Sequence, residues 1–248
     1  MLEKLLEEWR SLGSVVYRDE YIVRFQTEGP CWVMCAGPLG DKVNEIVQRE
    51  IEYHESIARD FEWAVYSSDE PSNLLDLLAA RGFEVGTKEV ICVKDLSMFS
   101  LAQTEIRVER AVDSKTLSDF QTVAESVFGK DFSYTTGVLA ESIKNGDHRA
   151  VGFVAYDGDQ PVSIGRFALP DGATCAGLYT GGTLDTYRGK GYYRAVVHAR
   201  MQFAKQLGLQ CVSVDARPTS LPILTALGFV PIVESWPCDW KVSRNSVL

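Results

Sequence analysis

Three β-rich runs, Ala150–Tyr156, Val162–Leu169 and Thr174–Leu184, are joined by little more than Asp157-Gly158-Asp159 and Pro170-Asp171-Gly172. Connections this short cannot carry a parallel crossover, which needs about a dozen residues or more. The runs are therefore read as antiparallel hairpins, and any fold for this chain must contain that meander. The period then changes. Tyr192, Val196, Ala199, Phe203 and Leu207 share one stripe of a long helix. A strand (Cys211–Asp215), a short helix (Ser220–Ala226), Gly228-Phe229 and a last strand region follow. Upstream, a strand opens at Ile106–Val108, and Asp113 is placed to cap a helix carrying Leu117, Phe120, Val123, Ala124 and Val127. A second helix around Val138–Ile143 meets Asn145-Gly146, a left-handed stop. The order β-α-α-β-β-β-α-β-α-β predicts a mixed α/β domain.

The first hundred residues read as a smaller α/β unit. Leu2, Leu5, Leu6 and Trp9 recur at helical spacing, and Tyr21–Phe25 and Cys31–Cys35 form short strands around Gly29-Pro30. A helix carries Val43, Ile46, Val47, Ile51, His54 and Ala58. It is followed by a strand (Glu62–Tyr66), a helix (Leu74–Ala80) closed by Gly82, and a strand (Val90–Asp95). Periodicity lapses over Leu96–Thr104, which is read as a linker, so the expected domains are 1–100 and 101–248. Leu75, Leu78, Ala80, Gly82 and Phe83 reappear 146 residues later as Leu221, Leu224, Ala226, Gly228 and Phe229. An internal duplication accounts for that match; a generic helix-then-glycine stop accounts for part of it.

The 248 residues are 46% hydrophobic and carry a net charge of −9, the opposite of what phosphate-neutralising nucleic-acid binders need. No apolar stretch approaches the ~20 residues that span a bilayer. The acidic segment from Met1 to Arg10 lacks the basic region and apolar block of a signal peptide. A cytoplasmic protein without membrane or nucleic-acid partners is expected. Cysteines 31, 35, 92, 175, 211 and 238 form no C-x-x-C pair and only three histidines are present, so the thiols are read as reduced and no metal is expected.

The chemistry is concentrated in Thr183–Arg194, where a strand meets a long helix. Backbone N–H groups and the positive end of the helix dipole favour an anion there. Gly189 and Gly191 allow close approach, while Arg188, Lys190 and Arg194 crowd a helix start that normally disfavours cations. A phosphate would compensate them; a solvated turn is the plain alternative. Gly-x-x-x-x-Gly-Lys-Ser/Thr is absent. A dinucleotide fingerprint, with Gly189-x-Gly191 and Asp215 further on, meets Arg194 at the third glycine position and follows antiparallel rather than βαβ strands.

Residues from about 105 to 240 resemble the GNAT superfamily of N-acetyltransferases. The family's loop, Gln/Arg-x-x-Gly-x-Gly/Ala, is matched at its first five positions by Arg188-Gly189-Lys190-Gly191-Tyr192, with Tyr193 replacing the small sixth residue. A strand–helix–Leu-Gly-Phe run, Val212–Asp215 and then Ser220–Phe229, is the second match. The resemblance implies an acetyl-CoA cosubstrate. The amides of Gly189–Arg194 would meet its pyrophosphate, and Gly181, Gly182 and Thr183 would pair with its pantetheine arm. The first half looks like a degenerate copy, because Lys42 and Glu45 fall where Arg188 and Gly191 stand. It is expected not to bind the coenzyme and to wall the acceptor cleft or support the second half.

The resemblance further implies direct attack of a primary amine on the acetyl thioester. An alkyl amine of pKa ~10 must lose a proton, and the departing thiolate, near ~8–9, needs one back. Asp215 is the candidate base or acceptor-binding carboxylate; a cap on the following turn is its plain alternative. The family's tyrosine acid falls at Leu224, so Tyr179 is the candidate substitute, otherwise a strand aromatic. Arg217 stands where the family often has an Asn, and is assigned to a phosphate, an acceptor carboxylate or solvent. His54 is read as a core residue, His198 as solvated and His148 as non-catalytic. Trp236 and Trp240 are read as core or as acceptor-pocket walls. A small-molecule or peptide amine is the expected acceptor, a cationic one mildly favoured by steering, in a monomer or homodimer. The alternative is a non-catalytic acyl-CoA-binding or sensing protein.

Overall fold

The computed structural model describes residues 7–8, 14–27, 29, 31–99 and 105–242. Apart from Glu7 and Glu8, which are helical, the N-terminal helix expected around Leu2–Trp9 lies outside the described residues, as does most of the 96–104 linker. The first elements in chain order are β1 (Val15–Arg18), β2 (Ile22–Gln26), β3 (Cys31–Cys35), α1 (Val43–Ser56), β4 (Phe61–Tyr66), α2 (Leu74–Ala80), β5 (Glu84–Val85) and β6 (Glu89–Asp95). Then follow β7 (Arg107–Arg110), α3 (Ser114–Phe128), α4 (Ser133–Asn145), β8 (Ala150–Asp157), β9 (Gln160–Ala168), β10 (Cys175–Thr183), α5 (Tyr192–Gln206), β11 (Cys211–Ala216), α6 (Leu221–Ala226) and β12 (Val230–Trp240). The fold is mixed α/β, with parallel and antiparallel pairs.

Two compact units divide the chain. One holds 1–91, 216–222 and 231–248, the other 92–215 and 223–230. This differs from a single cut after residue 100, and the reason is β12. That strand runs antiparallel to β4 from Ser235 opposite Tyr66 to Trp240 opposite Phe61. Trp236 and Trp240 pack against the first unit's core of Ile22, Val33, Ile46, Trp63, Leu74 and Leu78. Both tryptophans are therefore core-facing, as is His54, which stacks 3.9 Å from Phe61. In this unit β1, β2 and β3 form antiparallel pairs, α1 crosses over, and β3 and β4 are parallel. Only four residues long and mostly exposed, β1 left no periodic signal for the sequence to show.

The second unit realises the meander. β7 pairs β8, β8 pairs β9 and β9 pairs β10, all antiparallel. The crossover α5 then brings β11 parallel to β10. Alternation of side chains across the strands decides which helix covers which face. Gly152 lies against Leu139 and Phe120, so that face takes α3 and α4. Phe153 and Phe167 meet Phe203 of α5 on the other, at ring centroids 5.8 and 5.1 Å apart. The predicted cap is formed: Asp113 accepts from the Thr116 amide at 2.8 Å, and the Thr116 hydroxyl answers in a capping box. α4 stops at Gly146 in the left-handed region, as the Asn145-Gly146 pair implied.

Candidate active site

β10 and β11 are paired only at Cys175–Gly177 against Cys211–Ser213. Beyond Gly177, β10 runs on to Thr183 held by β9 alone among the described residues, and its other edge is open. A bulge marks the place. Tyr179 faces Arg166 on β9, yet Gly182 faces Ile164, so three steps on β10 match two on β9. Thr180 sits within the bulge at φ 53°, an uncommon conformation for a β-branched residue. Ser163 fastens the far end, donating to the Gly182 carbonyl at 2.9 Å and sharing a 2.7 Å bond with the Thr183 hydroxyl. Gly181 and Gly182 also have packing reasons to be glycine. A methyl group on them would meet the Tyr193 ring at 2.9 Å and Val127 at 2.7 Å.

Arg200 of α5 holds the bulge from the other face. It is buried at 1% exposure and donates 3.2 Å bonds to the carbonyls of Arg166 and Tyr179. Burial draws its pKa down to about 10. Sequence reasoning missed this residue, although it lies eight positions after Tyr192 on the apolar stripe, where a charge is unexpected.

The chain then enters the predicted loop. A short 3-10 turn, Asp185–Tyr187, precedes Arg188, and Gly189 and Gly191 adopt φ of 76° and 91°. Those angles are costly for any residue with a Cβ. Gly191 is the N-cap of α5, with no side chain bonding the first-turn amides. These N–H groups and the helix dipole make a place for an anion. Arg188 is tied to Asp185 at 2.7 Å and to the Thr183 carbonyl at 3.3 Å. Lys190 lies 4.9 Å from the Tyr187 ring, and Arg194 is exposed. The Tyr192 side chain is buried against Tyr187, leaving its backbone for a ligand. Arg217 pairs with Glu89 at 3.0 Å.

Tyr179 and Asp215 occupy one face of the opening. Burial pushes the Tyr179 phenol above its usual range, the Asp215 charge adds to the rise, and the Arg166 guanidinium, 5.3 Å from the ring, opposes it. The phenol is protonated at neutral pH. Asp215 also helps burial raise the Cys92 thiol to about 11. Leu224, the position of the family's tyrosine, is fully buried and anchors the turn into Gly228, where the Phe229 amide donates to its carbonyl. His148 is exposed. His198, expected in solvent, is instead half-buried beside Phe99, and burial lowers its pKa. None of the six cysteines is in a disulfide. No group of three or more His, Cys, Asp or Glu among the described residues is placed to hold a metal. None of their helices is long and apolar enough to cross a membrane.

Residues 117–229, which include the bulge, the loop and the Leu-Gly-Phe turn, match the model described as the acetyltransferase (GNAT) family. The match marks this segment as similar to the GNAT acetyltransferases. Solved structures agree in fold. A GCN5-related N-acetyltransferase from Kribbella flavida superposes with a TM-score of 0.67 at 12% identity, covering 98% of this chain and 95% of that one. A GCN5-related N-acetyltransferase from Sphaerobacter thermophilus gives 0.64 at 13%, covering 97% and 85%. A tandem GNAT protein from the clavulanic acid biosynthesis pathway gives 0.59 at 10%, covering 96% and 95%. No curated protein has a significant sequence match to this chain.

Proposed function

We propose that the protein is an acetyl-CoA-dependent N-acetyltransferase, acting in the cytoplasm as a monomer or homodimer on a primary amine of a small molecule or peptide. The observation that carries this reading is the opening of β10 from β11 at a bulge, leading into a two-glycine helix start with no capping side chain. The open edge offers Gly181, Gly182 and Thr183 to an extended pantetheine arm, and the amides of Gly189–Arg194 to a pyrophosphate. Nitrogen attack on the thioester carbonyl forms the C–N bond and breaks C–S. Asp215 takes the ammonium proton or holds the amine, and the protonated Tyr179 returns a proton to the departing sulfur. Arg217, which pairs with Glu89 at 3.0 Å, remains the proposed partner of a phosphate or an acceptor carboxylate.

The first half is proposed to be a coenzyme-free copy of the same fold, with a supporting role. Its order of antiparallel pairs, crossover helix, parallel strand and short helix repeats that of the second. Phe83 donates to the Leu78 carbonyl at 3.1 Å as Phe229 donates to Leu224 at 3.0 Å, and Gly82 and Gly228 share a positive φ. Where the loop should be, α1 starts from Lys42 with acidic Glu45 in its first turn, unsuited to an anion. A coenzyme sensor is the second reading, favoured by the sealed Leu224. Thiol release from acetyl-CoA across an amine panel separates the two. Turnover, reduced about 10²–10⁴-fold in Tyr179→Phe, supports the enzyme with its proposed acid. Tight binding without transfer to any amine points to the sensor.

A further inference from the structure

Arg166 is the feature of this opening that acetyl transfer alone leaves unexplained. It is the single charged side chain in an otherwise apolar stretch of β9, opposite Tyr179 in register. Its Nε is sealed from solvent with no partner, and it forms no ion pair among the described residues. Its neighbours are the Tyr179 ring and Tyr134 of α4, and burial lowers its pKa. The deeply buried arginine of the first unit shows the usual remedy. Arg24 is met by both oxygens of Glu50, at 2.7 and 2.9 Å. Arg166 has nothing comparable, and Arg200 brings a second buried guanidinium to its carbonyl. A cation sealed from water without an anion is costly, and Arg200 lies on the opposite face of the sheet, so the charge of Arg166 is left for a ligand to neutralise.

Resting on the acetyl-transfer reading, we propose that the acceptor is a small amino carboxylate whose carboxylate is bound by Arg166 while its amine is directed to Asp215. Arg166 and Asp215 stand on the same face, on strands flanking Tyr179. β11 has already parted from β10 at this level, so the gap between the two residues is wider than two ordinary strand spacings. A long and a short side chain reaching inward from that separation leave room for one small molecule bearing both groups. The planar guanidinium suits a carboxylate, which it can grip with two parallel bonds. Tyr179 then lies between the two ends of the ligand, where the amine meets the thioester.

The test uses the full chain and thiol release from acetyl-CoA with matched acceptors: lysine and cadaverine, arginine and agmatine, each amino acid and its C-terminal amide, and a lysine-containing peptide. The expected result is a kcat/KM at least about 10-fold higher for the free amino acids than for their decarboxylated or amidated counterparts. Arg166→Met should raise KM for the amino acids roughly 10- to 100-fold more than for the decarboxylated amines, with Arg166→Lys recovering part of the difference. A merely structural arginine would lower both classes together. Equal or better transfer to cadaverine, agmatine, the amides or the peptide overturns the carboxylate assignment and leaves acetyl transfer standing. No transfer to any acceptor, with no stabilisation by acetyl-CoA, removes the underlying reading and the assignment with it.

Discussion

A methyl group on residue 177 would sit 2.2 Å from Cε2 and 2.7 Å from the hydroxyl oxygen of Tyr179, so glycine alone lets the ring fold back along its own strand. Gly177→Ala should therefore displace the phenol and lower kcat in the same direction as Tyr179→Phe, while acetyl-CoA still raises the melting temperature. An unchanged kcat in both variants would remove Tyr179 as the proton donor. A second residue-scale prediction concerns acid stability. Asp147 accepts from the Ser142 hydroxyl and from the Arg149 amide and guanidinium, which hold its pKa at about 2. Because the folded value lies below the unfolded one, the stabilisation is present above the ordinary carboxylate range and fades as pH falls through it. Asp147→Ala should lower the melting temperature near neutrality, with a difference from wild type that shrinks between about pH 5 and pH 2. A constant difference would place the effect in packing instead.

At the scale of elements, Leu78 and Leu224 both lie at 0% exposure within short helices closed by a positive-φ glycine. Each should cost about 2–5 kcal/mol on truncation to alanine, read by denaturant unfolding. A much smaller loss at Leu224 would mean that its helix packs loosely enough to admit a catalytic side chain there. These helices, the meander and the strand-to-helix loop were legible because each is dictated locally, by period or by turn residues. The bulge was foreshadowed only by Gly181-Gly182, since register depends on the partner strand. Arg166 and Arg200 were missed because an isolated arginine in an apolar run looks like any solvated charge until the fold shows what covers it.

For the whole molecule, the sequence divided the chain near residue 100, but β12 pairs with β4 in the first unit, a long-range choice that local pattern cannot contain. The proposed degeneracy of the first half, where α1 starts from Lys42 with Glu45 in its first turn, predicts one acetyl-CoA per chain by titration calorimetry. Two equivalent sites would contradict the proposed degeneracy of the first half. Thermal unfolding with and without acetyl-CoA, repeated on Gly191→Glu, tests the central claim most directly. Ligand at ~100 times its Kd should add about 2.7 kcal/mol, a rise of very roughly 5–10 °C for a chain of this size. The account predicts that rise in the wild type and its loss in the variant, whose new carboxylate stands at the amides meant for the pyrophosphate. No rise in the wild type at millimolar acetyl-CoA, or the same rise in both proteins, would contradict it.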